Sequence, residues 1–170
     1  MTPAARYAAA CDILDQVVAG HPTERALLAW ARGSRYAGSK DRAAVRDIVF
    51  DAIRSWNSCA ALGGGTNGRA RILGLLRLTG VDPSGVFTGL GYAMDALTPE
   101  EVALWDTPGA PVADVPAWVL PEITRSLGAD TQSYLDTLRH RAPVWLRVNT
   151  VRATPEQARA SLARDGIATA

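Results

Sequence analysis

The chain has 170 residues, 48% of them hydrophobic and 21% charged, with a formal net charge of +1, which is the makeup of a globular protein with one full core and a little more. No run of 18 apolar residues occurs, so neither a spanning helix nor a membrane partner is expected, and Asp12 and Asp15 stand where a signal peptide needs an apolar run, which points to the cytoplasm. The charge is unevenly placed: residues 1–80 carry a net +5, residues 81–141 a net −6 and residues 142–170 a net +2.

The first segment reads as a helix with Ala4, Tyr7, Ala8, Cys11, Leu14 and Val18 on one face, stopped by Gly20-His21-Pro22. Thr23 caps a short helix holding Ala26, Leu27 and Trp30. Ser39 is an N-cap for the strongest helix of the chain, with Asp41 in its first turn, where the helix dipole favours an anion. Its apolar stripe runs through Val45, Ile48, Val49, Ala52, Ile53, Trp56 and Cys59/Ala60 as one long helix. Gly63-Gly64-Gly65-Thr66-Asn67-Gly68 spells G-x-G-x-x-G, the pattern of a dinucleotide-binding loop. Such a loop follows a buried strand and opens a helix within a βαβ unit. Here a helix precedes it, and the nearest later acid, Asp82, falls in a turn. The segment therefore reads as an inter-helix turn with Gly63 as C-cap. The next helix, Arg69 to Thr79, places Ile72, Leu75, Leu76 and Thr79 on one side.

Residues 81–96 read as loop. Thr98, Pro99 and Glu101 form a capping-box start. A Pro-rich connection leads to a helix opened by Pro116, whose interior Pro121 kinks or restarts it, and Asp130 caps another. That makes six to eight short helices up to Arg141. The pattern then alternates in "APVWLRVNT", with Val144, Leu146 and Val148 against Trp145, Arg147 and Asn149, as in a strand. A capped helix follows, with Thr154, Pro155 and Gln157 at its start and Gly166 at its end, and "IATA" opens what reads as a second strand. A lone β-α-β opening cannot bury its faces, so the chain is expected to stop inside a second domain.

No catalytic group and no metal set is expected. His21 and His140 lack the spacing of ligands or of a catalytic pair, Cys11 and Cys59 lie on apolar helix faces, and Glu100 and Glu101 are accounted for by capping. The basic front is the better lead. Seventeen of the 18 cations are Arg, whose planar fork suits phosphate, although a GC-rich genome favours Arg codons as well. Arg42, Arg46 and Arg54 fall along one side of the long helix with Phe50 among them. Arg32, Arg35 and Lys40 lie in the segment leading into it, and Arg69 and Arg71 enter the next helix. Cations interleaved with aromatics suit RNA. The alternative is a solvated face whose Arg residues pair with Asp41, Asp47 and Asp51.

Four segments, "RGSRYAGSKDRAAVRDIVFDAIRSWNSCAALGGG", "LTPEE", "DVPAWVLPEI" and "RAPVWLRVNT", resemble the N-terminal part of bacterial Sun-type (RsmB-like) rRNA (cytosine-5) methyltransferases over nearly the whole chain. The resemblance implies a mainly all-α fold, with a NusB-like RNA-binding domain in residues 1–141 and the start of an RRM-like α/β subdomain in residues 142–170. It further implies a catalytic domain using S-adenosylmethionine elsewhere in the same protein, because the family's D-x-x-A-x-P-G-x-K, T-C-S and P-C-S-G motifs are absent here; neither Cys11 nor Cys59 matches them. The implied role is rRNA recognition by a piece inactive alone, with Arg32, Arg35, Lys40, Arg42, Arg46, Arg69, Arg71 and Arg147 as the expected RNA contacts and no cofactor in these residues. Two rivals remain: a stand-alone NusB-like module binding RNA or protein, and a helical domain that only docks on the catalytic domain.

Overall fold

A computed structural model describes residues 1–169, which fall into two compact units, Met1–His140 and the residues from Arg141 onward. The first holds α1 (Pro3–Val18), α2 (Thr23–Gly33), α3 (Ser39–Arg54), α4 (Trp56–Gly63), α5 (Gly68–Thr79), α6 (Pro99–Asp106), α7 (Leu120–Leu127) and α8 (Thr131–Leu138); the second holds α9 (Pro155–Arg164). The architecture is mainly helical, and no strand occurs among the described residues.

Helix α5 is the centre of the first unit. Every residue from Ala70 to Leu76 is buried, as in a helix apolar on all sides. Helices α1, α3 and α4 pack on it. They bring Ile13 and Leu14, Val45 and Val49, and Cys59 to a core completed by Ile72, Leu73 and Leu76, all excluded from solvent. The approach of α4 to α5 is backbone against backbone. A Cβ on Gly74 would overlap the Cys59 carbonyl, and one on Gly63 would overlap the Ala70 carbonyl.

Several boundaries differ from the sequence reading, each for a local reason. The stripe read as one long helix is two helices. Ser55 leaves helical geometry (φ −112°, ψ 37°), and α4 restarts at Trp56; apolar spacing continues across the break, so periodicity does not reveal it. Gly64, not Gly63, is the left-handed C-cap of α4 (φ 70°), because Gly63 is needed inside the helix for the contact with α5. Gly38 and Pro22, not Ser39 and Thr23, occupy the cap positions of α3 and α2. The buried face of α1 includes Ile13, Ala9 and Ala10, while Val18 is exposed at its end. Pro116 opens only a turn, and the helix begins at Leu120 with Pro121 in its first turn, where a missing N–H costs nothing.

The capping boxes are as expected. Thr98 Oγ1 accepts from the Glu101 amide (3.3 Å) and Glu101 Oε2 accepts from the Thr98 amide (2.9 Å). In the second unit the Thr154 and Gln157 pair does the same at the start of α9, and Gly166 takes a left-handed φ of 75° after its end. The expected strand over residues 142–149 is absent, as is one over Ile167–Thr169; Ala170 lies outside the described residues. A strand exists only where a neighbour accepts and supplies its ladder hydrogen bonds, and no other segment among the described residues pairs with these.

The glycine contact sets a direct expectation. Gly74→Ala forces α4 and α5 apart and should lower unfolding free energy by about 1–3 kcal/mol, read as a lower urea midpoint with an unchanged m-value.

Candidate nucleic-acid interface

The expected RNA contacts of the first unit divide into two groups. Those on α5 are spent on the fold. Arg71 is 5% exposed; it stacks on the Trp56 ring at 3.4 Å and donates to the carbonyl oxygens of Thr66 (3.1 Å) and Trp56. Its burial lowers its pKa from the usual arginine value. Arg69 makes a bidentate pair with Glu101 (2.7 Å for both bonds), donates to the carbonyls of Asp95 and Ala96 (3.0 Å each) and lies over the Phe87 ring at 4.7 Å. The Arg69 fork holds the Glu101 carboxyl below its ordinary pKa. Arg77 donates to the Leu62 and Thr107 carbonyls. Thus Arg69 and Arg71, expected at an RNA surface, have their donors engaged inside the helical unit.

The cations around the α2–α3 connection are differently placed. Arg32 ends α2, Arg35 lies in the connection, and Lys40, Arg42 and Arg46 follow on α3; all five are exposed. Of the three acids on α3, two are occupied elsewhere. Asp41 turns to α1, where it takes the N-terminal ammonium at 3.2 Å and Arg6 at 2.8 Å, while also accepting from the Gly38 amide. Asp51 pairs with Arg54. Only Asp47 reaches a member of the group, Arg46, at 3.5 Å on an open surface, where such a pair contributes little. Arg32, Arg35, Lys40 and Arg42 have no acid partner among the described residues; Arg42 donates from Nε to the Ala37 carbonyl at 3.0 Å. Arg25 joins them, exposed and without an acid partner, seven residues before Arg32 and so on the same face of α2. Its i, i+7 spacing to Arg32 is a signal the sequence reading passed over. Arg147 belongs to the second unit, exposed beside Val148 and Asn149 in an open hollow. Near it Val144, Trp145 (89% exposed) and Leu146 are bare.

The glycine-rich turn does not fit a cofactor phosphate. A Cβ on Gly68 would overlap the Cys11 carbonyl, so this glycine serves the contact with α1. The N-terminus of α5 already has its acceptors: Asn67 Oδ1 takes the Ala70 amide at 2.8 Å and Asp15 Oδ1 takes the Gly68 amide at 2.6 Å. A phosphate there would meet the Asp15 carboxylate. Both cysteines are buried, and burial, reinforced by Asp15 near Cys11 and Asp114 near Cys59, pushes each thiol up to about 12.

A buried polar knot anchors residues 112–115. Asp114, its side chain 2% exposed, accepts from the Ser58 amide (2.8 Å), the Ser58 hydroxyl (2.6 Å) and Arg139 Nε (2.7 Å). Arg139 also donates to the Val112 carbonyl and to Asp136. Through Asp114 these bonds tie the Pro-rich connection and the end of α8 to α4.

Residues 115–170 match a family model described as "Methyltr_RsmF/B-like, ferredoxin-like domain". The match covers about a third of the chain and supports the rRNA methyltransferase family as its context. A ferredoxin-like domain is built from β-α-β units; of that pattern residues 142–169 form only the helix α9. No curated protein and no solved structure matches the chain. No helix among the described residues is long and apolar enough to cross a membrane.

Two measurements follow from this geometry. Arg139→Met leaves the Asp114 carboxylate buried without its cation and should cost about 3–5 kcal/mol of stability, measured by urea unfolding. Neither thiol should react with iodoacetamide at pH 8 in the folded protein, while both should react in 6 M urea. Because folding raises both thiol pKa values, the stability they confer is complete below the unfolded thiol pKa and falls as pH rises toward 12.

Proposed function

We propose that this chain is the RNA-recognition part of an S-adenosylmethionine-dependent rRNA (cytosine-5) methyltransferase. Residues 1–141 act as a NusB-like helical domain, residues 142–170 belong to the RRM-like subdomain, and the catalytic domain of the same protein is the partner that carries the chemistry. The observation that carries the RNA contact is the set of exposed cations Arg25, Arg32, Arg35, Lys40 and Arg42, left without acid partners among the described residues while Asp41 and Asp51 are engaged elsewhere. Desolvating a cation already paired to a carboxylate gains little from phosphate; an unpaired one releases counterions from the nucleic acid and contributes in full. Contacts of this kind set position and orientation on the backbone and carry no sequence information. Methyl transfer itself is assigned to no residue here, and no residue of this chain is assigned to S-adenosylmethionine. The family match over residues 115–170 supports the methyltransferase setting and does not favour a stand-alone module.

The test is fluorescence anisotropy of the full chain with short rRNA oligonucleotides across a salt series. Wild type should bind at low salt and lose affinity steeply as salt rises. The triple variant Arg32→Ala/Arg35→Ala/Lys40→Ala should bind at least about tenfold more weakly, with a salt slope shallower by about 2, given roughly 0.7 per phosphate contact on a single strand. Arg125→Ala, which removes a cation paired to Glu122 at 2.5 Å, should leave both affinity and slope unchanged. Equal binding by wild type and the triple variant overturns the assignment.

A further inference from the structure

The connection that carries Arg35 also carries Tyr36, whose side chain is 73% exposed and has no hydrogen-bond partner among the described residues. The backbone around it is held tightly. The Ser34 amide donates to the Trp30 carbonyl (2.9 Å), the Ala37 amide to the Ser34 carbonyl (3.0 Å), and Arg42 Nε to the Ala37 carbonyl (3.0 Å). Ser34 and Ala37 are buried on either side. The ring is therefore presented outward by a pinned turn, and its exposure is built into the fold. Tyr92 is a useful contrast. It is barer still at 90%, but the residue three positions on is Asp95, and the one cation that reaches its loop, Arg69, is spent on Glu101 and on the Asp95 and Ala96 carbonyls. Around Tyr36 the charged neighbours in sequence are Arg32, Arg35 and Lys40, none with an acid partner.

We propose that Tyr36 is a stacking platform for an unpaired RNA base, with Arg35 and Lys40 holding phosphates on either side of it, so that this face selects single-stranded over duplex RNA. The inference rests on the reading that the cations of the α2–α3 connection meet RNA, and adds to it the form of RNA recognised. An exposed aromatic ring flanked in sequence by cations without acid partners fits a ligand that carries both π-surfaces and regularly spaced negative charge. Duplex RNA offers the charge alone, because its bases are stacked on one another and closed to the ring. An acidic peptide likewise offers charge without the stacking surface.

The experiment compares wild type, Tyr36→Ala and Tyr36→Phe, each as the full chain, on three probes of equal length: a single-stranded oligoribonucleotide, a fully abasic ribose-phosphate strand and an RNA duplex. Because the ring is exposed, Tyr36→Ala should keep the wild-type melting temperature, which circular dichroism checks. Tyr36→Ala should bind the single strand about 5- to 150-fold more weakly, the range for loss of one base–aromatic stack. It should match wild type on the abasic strand and on the duplex, with an unchanged salt slope. Tyr36→Phe, which keeps the ring, should stay within about twofold of wild type on all three. Tyr36→Ala equal to wild type on the single strand overturns the stacking role, and so does Tyr36→Phe as weak as Tyr36→Ala. If wild type binds none of the probes at low salt, or if the Arg32/Arg35/Lys40 triple variant binds as well as wild type, the RNA reading itself falls and takes this inference with it.

Discussion

The close approach of α4 to α5 is the constraint on which the rest of the helical unit depends. Gly63 and Gly74 remove the two side chains that would hold the helices at an ordinary interaxial distance, and backbone carbonyls occupy the vacated space. With the helices this near, the Arg71 guanidinium from α5 reaches the Trp56 ring and carbonyl at the start of α4. Arg77 reaches the Leu62 carbonyl near the other end. A buried guanidinium is costly unless its donors find acceptors, and the glycine contact is what brings those acceptors within range. The same geometry surrounds α5 with α1, α3 and α4, so that its middle is excluded from solvent on every side.

Charge is then sorted by position. The arginines of α5 point at backbone carbonyls, two aromatic rings and Glu101, and act as staples. The cations of α2 and α3 face water with few acids to meet. What decides the difference is the allocation of a few carboxylates. Asp41 sits in the first turn of α3, where an anion complements the helix dipole, and its oxygens are taken by the N-terminal ammonium, Arg6 and the Gly38 amide. Asp15, at the far end of α1, caps α5. A carboxylate that fixes one helix to another is withdrawn from the surface, and the surface around α3 is correspondingly more positive than its local composition implies.

The helical character of the first 140 residues was legible because amphipathic spacing and capping residues are local signals. Thr98, Glu101, Thr154 and Gln157 announce their boxes within four residues, and the glycine turn was recognisable from the helix before it. What escaped the sequence depends on distance in space. The break at Ser55 preserves the apolar rhythm, and so is invisible to periodicity. The role of Gly63 inside α4 is set by Ala70 on another helix. Arg69 and Arg71 looked like surface cations because their partners, Glu101 and Trp56, lie 32 and 15 positions away. One clue was present: between Ala70 and Leu76 every residue except Arg71 is apolar or glycine, and a cation in a helix apolar on all sides has to be buried with acceptors. The alternation in residues 142–149 predicts a strand that does not form, because a pattern specifies only which faces a strand would show. The ladder needs a second segment, and among the described residues none supplies it.

The second unit makes the same point through its exposed side chains. Val144, Trp145 and Leu146 are bare and consecutive, and Val151 lies within a turn closed by Asn149, whose carbonyl accepts from the Arg152 and Ala153 amides. Isolated exposed apolar residues are ordinary on a protein surface, whereas a contiguous run that includes a tryptophan is not. Helix α9 in this unit carries its own capping box and has no buried residue. Local signals suffice to start and stop such a helix, but a packed face requires neighbours. The first unit has those neighbours and uses them to hold its cations at fixed positions. In the second unit the helix is formed, while the alternating segment has no ladder of its own among the described residues.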